Sequence, residues 1–135
     1  MLRKLENDVD VWVASANARG DAHLIPLSFY WDGARLTVAT ATSSVTARNL
    51  ARARRARMAL GPTRDVVILE GAVEVIPALD DPELAALHAA AAGFDTRESS
   101  TSWIFVRMTP SRIQAWREEN ELQDRDVMRD GGWLE

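Results

Sequence analysis

The order of strand-like and helix-like segments constrains the fold of this chain more than any other feature. The order is β-β-β-α-β-β-α-β-β, so the strands come in groups and do not alternate one by one with helices. A doubly wound parallel sheet needs a helix between successive strands throughout, and this order excludes it. About six antiparallel strands with two inserted helices are typical of a small closed barrel. The predicted fold class is therefore mainly β, with inserted helices.

Turn residues separate the strands in the first half of the chain. Residues 9–15 are rich in β-branched side chains, and residues 17–21 supply a turn. A long strand is predicted from Ala22 to Trp31, with large side chains on both faces, so both faces are expected to be covered. Asp32-Gly33 predicts a hairpin, after which residues 36–40 return as the third strand.

Two helices are expected between the strands. The first is predicted over residues 43–53, with Ser43 or Ser44 as its N-cap. The second covers the alanine-rich stretch that ends at Gly93.

The second half of the chain is predicted to contain three further long segments of strand. Residues 66–76 form one strand that Gly71 interrupts, which predicts a bulge or a sharp bend. Residues 103–108 and 112–116 are predicted as two strands on either side of a turn at 109–111.

Composition limits the class of protein. With 135 residues, the chain is expected to form one domain, 1–135, with a charged tail at about 118–135. The absence of cysteine excludes a disulfide framework, a thiol nucleophile and a cysteine zinc site. A formal net charge of -4 argues against nucleic-acid and anionic-membrane partners. The sequence has neither an apolar run of about 18 residues nor the apolar core of a signal peptide, so a cytoplasmic location is expected.

Familiar catalytic motifs are missing from the sequence. His23 and His88 each stand alone, without a carboxylate at ligand spacing, so no metal site is expected. The sequence contains no nucleophile elbow, no phosphate-binding P-loop and no glycine-rich dinucleotide fingerprint after a strand. Catalytic residues are therefore not identifiable from the sequence.

One group of residues does indicate a binding site. Hydroxyl side chains crowd the junction between the third strand and the first helix, at Thr40, Thr42, Ser43, Ser44 and Thr46. A helix N-terminus offers free N–H groups and the positive end of its dipole, and arginine adds a planar fork for a phosphate. Helical side chains lean toward the N-terminus, so Arg48 is predicted to reach back to an anion there. Arg52 and Arg55 are expected to continue the same stripe, and simple capping with a solvated arginine face is the alternative.

The ordered set of segments resembles the pyridoxamine 5'-phosphate oxidase-like, flavin-binding split-barrel family over roughly residues 9–117. The resemblance rests on Pro26 inside the second strand, Asn49-Leu50 in the first helix and Leu69-Glu70-Gly71 in a later strand. It implies a six-stranded antiparallel split β-barrel of the FMN-binding type. It also implies a homodimer with the cofactor at its interface: FMN, or alternatively the deazaflavin coenzyme F-420. Some relatives bind FAD, haem or a tetrapyrrole.

The resemblance also implies roles for particular residues. The strand at 26–30 would lie along the flavin ring, which assigns ring contacts to Leu27, Ser28 and Phe29. The strand-to-helix junction would hold the phosphate through Thr40, Thr42, Ser43, Thr46 and Arg48. Many relatives carry a lysine in this segment, whereas Val45-Thr46-Ala47 has none and Arg48 is the nearest cation.

Three functional hypotheses follow from these residues and the resemblance. The first is a flavin- or deazaflavin-dependent reductase of a small conjugated or quinone-like molecule. The second is a non-catalytic binder or sensor of a flavin, haem or other planar ligand, and the third is a dimer whose pocket is empty. Trp133 at the end of the charged tail is expected either to dock on the partner subunit or to belong to a disordered tail.

Overall fold

A computed structural model describes residues 1–134 of the chain, without the side chains at 119 and 120. The helices are α1 (Leu2–Asn7), α2 (Val45–Ala53) and α3 (Pro82–Ala92). The strands are β1 (Asp10–Ala16), β2 (Ala22–Trp31), β3 (Leu36–Ala41), β4 (Arg55–Leu60), β5 (Val66–Pro77), β6 (Trp103–Trp116), β7 (Asp126–Arg129) and β8 (Gly132–Trp133). Short 3-10 turns cover 78–80, 96–98 and 119–124.

The first six strands close into an antiparallel barrel. Their order is β3-β2-β1-β4-β5-β6, and β3 also pairs with β6, which joins the two ends of the sheet. The hairpin β7–β8 extends the sheet beyond β6. The predicted mainly β, six-stranded barrel with inserted helices is confirmed. The hairpin lies in the segment that was predicted only as a charged tail.

The barrel interior is filled by alternate residues of each strand. Val11 and Val13 on β1 point inward, as do Leu36 and Val38 on β3, and all four are buried. Leu50 of α2 joins the same core. Burial of each such side chain contributes about 1.5–3 kcal/mol, so this apolar interior dominates the stability of the barrel.

The residues between 103 and 116 form one continuous strand, so the prediction of two strands around a turn at 109–111 is wrong. The pairing with β5 shifts register between Glu70, which faces Arg112, and Gly71, which faces Pro110. The residue in between is accommodated as a bulge. Proline lacks a backbone N–H, and a bulge is one of the few places where a sheet tolerates it.

The barrel is split between β2 and β3. Residues 22–28 of β2 pair with β1, whereas β2 pairs with β3 only over residues 29–31. Residues 39–41 of β3 pair on their other side with β6. The opening between residues 22–28 of β2 and 39–41 of β3 is called the cleft below. The expectation that both faces of β2 are covered holds only near its C-terminal end, because Ala22, Leu24 and Pro26 are exposed.

None of the three described helices is long and apolar enough to cross a membrane.

Candidate functional site

The start of α2 lies directly after β3 at the cleft. Ser44 is its N-cap: the backbone is extended there, and Ser44 Oγ accepts a hydrogen bond from the Ala47 N–H at 3.0 Å. Ser44 Oγ also shares a hydrogen bond of 2.8 Å with Thr40 Oγ1. Of the two predicted N-caps, Ser44 is therefore the one the structure uses, and Thr40 holds it in place.

The first turn of α2 leaves donors free for an anion. The backbone N–H groups of Val45 and Thr46 have no acceptor among the described residues. Arg48 is exposed and reaches back toward the N-terminus, where its Nη1 donates to the Ser43 carbonyl at 2.9 Å. The remaining guanidinium donors and the positive end of the helix dipole lie together at this exposed point. The predicted backward reach of Arg48 is confirmed.

Thr46 takes a different place from the other hydroxyl residues. Its side chain is completely buried, and its Oγ1 has no hydrogen-bond partner. The whole residue is buried, so the Thr46 N–H lies beneath the surface together with its side chain, and Val45 is the exposed residue with a free N–H.

Thr42 connects the site to a distant loop. Its N–H donates to the Ser102 carbonyl at 3.0 Å, and the two side-chain hydroxyls share a hydrogen bond of 2.8 Å. The loop between α3 and β6 is therefore attached to the start of α2. Ser102 was not predicted as a site residue, since nothing in the sequence links two positions 60 residues apart.

The three predicted ring-contacting residues lie on β2 and face different ways. Phe29 is buried in the core, and its N–H donates to the Val9 carbonyl at 2.9 Å. Leu27 is half-buried and packs against the same core. Ser28 lies on the opposite face of β2, where its Oγ donates to Asp10 Oδ1 at 3.0 Å. The side chains of Leu27 and Phe29 therefore face the barrel interior, and β2 offers the cleft its backbone.

A buried histidine lies behind this strand. His88 on α3 is completely buried, and its Nε2 is 3.4 Å from the Ser28 carbonyl oxygen. The rings of Phe94 and Phe105 pack against the imidazole, each with a centroid distance of 5.4 Å. Burial lowers the pKa of His88 below its ordinary value, although the Ser28 carbonyl opposes this shift. His88 is thus a neutral packing residue that also contacts the predicted cofactor strand.

The predicted arginine stripe is shorter than expected. Arg52 belongs to α2 and donates to the Ala16 carbonyl at 2.9 Å. Arg54 ends the helix in the left-handed conformation with φ 56°, and Arg55 is the first residue of β4. The prediction that Arg55 continues the helical stripe is wrong, because the chain changes direction at Arg54, between the end of α2 and the start of β4.

The residues present fit a phosphate group. The free N–H of Val45 and the guanidinium of Arg48 can contact an anion from one side, in the manner of other helix N-termini that bind phosphate. The edge of β2 facing the cleft has no strand partner over residues 22–28, and its groups other than the Ser28 carbonyl, which contacts His88, can bond to the polar edge of a planar ring. A cavity of about 510 Å³ lies elsewhere, between α1 and the ends of β5 and β6. None of the predicted site residues lines that cavity.

Comparisons with solved structures identify the same fold. An F-420 reductase is 17% identical with a TM-score of 0.68, and the alignment covers 81% of this chain and 91% of that one. A pyridoxamine 5'-phosphate oxidase-related, FMN-binding protein from Nostoc punctiforme is 12% identical with a TM-score of 0.61, covering 78% and 73%. A haem-binding protein from Mycobacterium smegmatis is 19% identical with a TM-score of 0.65, covering 87% of this chain and 52% of that one. At these identities the similarity shows the fold alone.

The sequence itself gives the stronger comparison. A search of curated proteins found no match. The pyridoxamine 5'-phosphate oxidase family model, however, matches residues 4–128, which is nearly the whole chain. The match spans every strand of the barrel, the split between β2 and β3, and the start of α2. With its split barrel and this match, the chain belongs to the pyridoxamine 5'-phosphate oxidase family.

Proposed function

We propose that this protein is a flavin- or deazaflavin-dependent reductase of a small conjugated or quinone-like molecule, with the cofactor bound at the interface of a homodimer. One observation carries the proposal: the free N–H of Val45 and the guanidinium of Arg48 follow the end of β3, where the edges of β2 and β3 are no longer paired with each other. A flavin mononucleotide has a phosphate for the first feature and a hydrogen-bonding ring for the second.

The proposed roles follow from these positions. Val45 binds the phosphate through its N–H group, and Arg48 binds it through its guanidinium. Ser43, which is exposed beside Arg48, offers a further hydroxyl. Thr40 and Thr42 act indirectly, since their hydroxyls hold Ser44 and Ser102.

The ring would lie along β2 between residues 22 and 28. The backbone of Ser28 and its neighbours would bond to the polar edge of the ring, and Leu27 would support it from the barrel side. When bound, the cofactor supplies the hydride transfer, while the protein orients the ring and limits water access. Because the bound cofactor supplies this chemistry, the proposed site needs hydroxyls and an arginine for binding and does not need a catalytic carboxylate.

A homodimer would complete the site. Trp12 is 49% exposed and Leu24 is 60% exposed on the outer face of β1 and β2. Trp12 faces Pro26 and Ala14 faces Leu24 across the strand pair, so these four side chains form one continuous apolar surface. Exposed apolar surfaces of this kind mark protein–protein contacts. A second copy of the chain on this surface would cover the cleft from outside.

Ligand titration tests the cofactor. We expect the purified full-length chain to bind FMN or F-420, measured by fluorescence at 25 °C, and to bind riboflavin at least tenfold more weakly than FMN. Riboflavin has the same ring but lacks the phosphate, so the ratio isolates the contribution of the α2 site. Failure to bind either FMN or F-420 would contradict the proposal, and equal affinity for FMN and riboflavin would contradict the phosphate site.

Turnover separates an enzyme from a binder. The chain loaded with reduced cofactor should pass its electrons to a small quinone, followed by the change in cofactor absorbance. Reoxidation at the same rate as in free cofactor would indicate a binding protein without catalytic function.

A non-catalytic binder of a planar ligand is the second candidate function. It is supported by the fold that this chain shares with the haem-binding protein from Mycobacterium smegmatis. Addition of haemin to the purified chain distinguishes the two: a saturable Soret shift at one haem per chain, together with no flavin binding, would favour this alternative.

A further inference from the structure

The edge of β2 changes partner at Ser28. The N–H of Phe29 points toward the β1 side, where it bonds to the Val9 carbonyl. Consecutive residues of a strand point their backbone groups to opposite edges, so the N–H and C=O of Ser28 point away from β1 and toward β3. The pairing with β3 ends at Phe29, which leaves the Ser28 carbonyl at the mouth of the cleft without a partner from the sheet.

His88 contacts β2 at Ser28, the position where a residue of β3 would otherwise pair with it. Its Nε2 lies 3.4 Å from the Ser28 oxygen. A carbonyl oxygen only accepts hydrogen bonds, so the contact requires the proton on Nε2 and leaves Nδ1 bare. Nδ1 is buried and has no partner, so the Ser28 carbonyl is the polar contact that orients the ring. Phe94 and Phe105 fix the imidazole from the sides.

The neighbouring position on the same edge cannot pair either. Pro26 lies two residues before Ser28, so it faces the cleft, and it has no N–H to donate to a strand. Two successive cleft-facing positions of β2 thus cannot pair fully with β3. Pro26 lacks an N–H to donate, and the carbonyl of Ser28 already contacts the imidazole of His88.

We propose that His88 is a positioning residue: it replaces β3 as the hydrogen-bond partner of β2 at Ser28 and fixes the strand against which the flavin would lie. The link to a flavin rests on the proposed function. The fixing of β2 does not, and it is measured independently, without ligand.

Three variants test this role in the full-length chain. His88→Leu removes the donor and keeps an apolar side chain of similar bulk. His88→Gln keeps an N–H donor and is the conservative rescue. Leu84→Ala is the matched control, because Leu84 is buried on the same helix and packs in the same cluster as Phe105, and its side chain has no hydrogen-bond donor for the Ser28 carbonyl.

Amide hydrogen exchange measures the strand directly, without ligand. We expect exchange of residues 22–31 to be about five- to tenfold faster in His88→Leu, the size expected for loss of one hydrogen bond, with residues 66–77 of β5 unchanged. His88→Gln should restore much of the protection, and Leu84→Ala should not affect β2 selectively. Equal exchange of β2 in His88→Leu and the wild type, or the same change in Leu84→Ala, would overturn the inference.

A second measurement needs no variant. The ¹⁵N shifts of the wild-type imidazole at pH 7.5 should show a protonated Nε2 and a bare Nδ1, whereas the opposite tautomer would exclude the bond to Ser28. FMN titration of the variants then connects the strand to the ligand, with about five- to tenfold weaker binding expected for His88→Leu. If the wild type binds no flavin but β2 still responds selectively, the proposed function fails and the role of His88 remains. If the wild type binds flavin and β2 does not respond, the role of His88 fails alone.

Discussion

At the scale of single residues, the proposed phosphate site depends on one cation and one exposed backbone N–H group. Arg48 is exposed, and among the described residues its side chain hydrogen-bonds to the Ser43 carbonyl alone. A residue held in this way contributes little to the stability of the fold, so its substitution separates binding from folding. Thr46 cannot be used in the same way because its side chain is buried.

Arg48→Ala should weaken FMN binding about ten- to hundredfold, the range for loss of a charge-assisted contact, with a change in unfolding free energy within about 0.5 kcal/mol. Arg52→Ala is the control, since Arg52 is on the same helix but bonds to the Ala16 carbonyl. Fluorescence titration and urea unfolding measure the two effects. Unchanged affinity in Arg48→Ala would remove this residue from the site.

His88 makes stability depend on pH. Its pKa in the folded chain is lowered by burial, so the unfolded chain binds more protons once the pH falls below about 6.5. The free energy of unfolding should therefore decrease as the pH falls from 7.5 to 5.5. Urea unfolding at several pH values measures the slope, which His88→Gln should reduce. A slope that His88→Gln leaves unchanged would show that the imidazole binds its proton equally well in the folded and the unfolded chain.

At the scale of elements, the close approach of the paired strands β5 and β6 at Gly71 and Pro110 shows how the barrel accommodates a proline. Gly71 lies against the Thr109 carbonyl oxygen, and an added Cβ would also come within 2.9 Å of Pro110 Cα. The contacts are with backbone, which cannot move aside as a flexible side chain can. Glycine is therefore required here for close approach of two strands rather than for an unusual backbone angle.

Gly71→Ala should destabilise the protein by about 2 kcal/mol or more, because the methyl group overlaps the backbone of β6. Gly132→Ala is the matched control in a strand, since its added Cβ would meet nothing closer than 3.7 Å. Thermal unfolding of both variants measures the difference. Similar melting temperatures for the two variants would show that the backbones of β5 and β6 can move apart at Gly71 with little loss of stability.

At the scale of the whole molecule, the outer face of β1 and β2 is apolar where the rest of the sheet carries charges. Arg57, Glu70, Arg112 and Asp126 form a row of ion pairs across β4 to β7. The surface around Trp12 and Leu24 has no such cover. The charged row is suited to solvent, and the apolar surface is suited to a second copy of the chain.

Leu24→Asp should convert the proposed dimer into a monomer, because it places a charge in the middle of the apolar surface. Leu79→Asp is the control: Leu79 is 90% exposed in the 3-10 turn after β5, away from β1 and β2. Light scattering of both variants at the same concentration measures the mass. A wild type that is already monomeric would contradict the dimer, and a dimeric Leu24→Asp would place the interface elsewhere.

Much of the fold could be predicted because the sequence signals for its strands, caps and bulges lie within a few residues of each element. The bounds of β2, the Ser44 cap of α2 and the bulge at Gly71 each depend on a few neighbouring residues. Contacts between distant residues could not be predicted, and the bond from Ser102 to Thr42 is an example. The continuity of β6 through Pro110 could not be predicted either, because the neighbouring strands of the sheet decide whether a proline ends a strand.

The sequence by itself determined the class of fold, the position of the start of α2 and the family, because strand periodicity, capping residues and glycines act within a few residues. Only the tertiary structure decided which groups remain free for a ligand. Thr46 turned out to be buried, Phe29 to face the core, and His88 to hold Ser28 at the edge of the cleft. The physical reason is that a free donor or an unpaired strand edge is defined by what packs against it, and those partners come from distant parts of the chain.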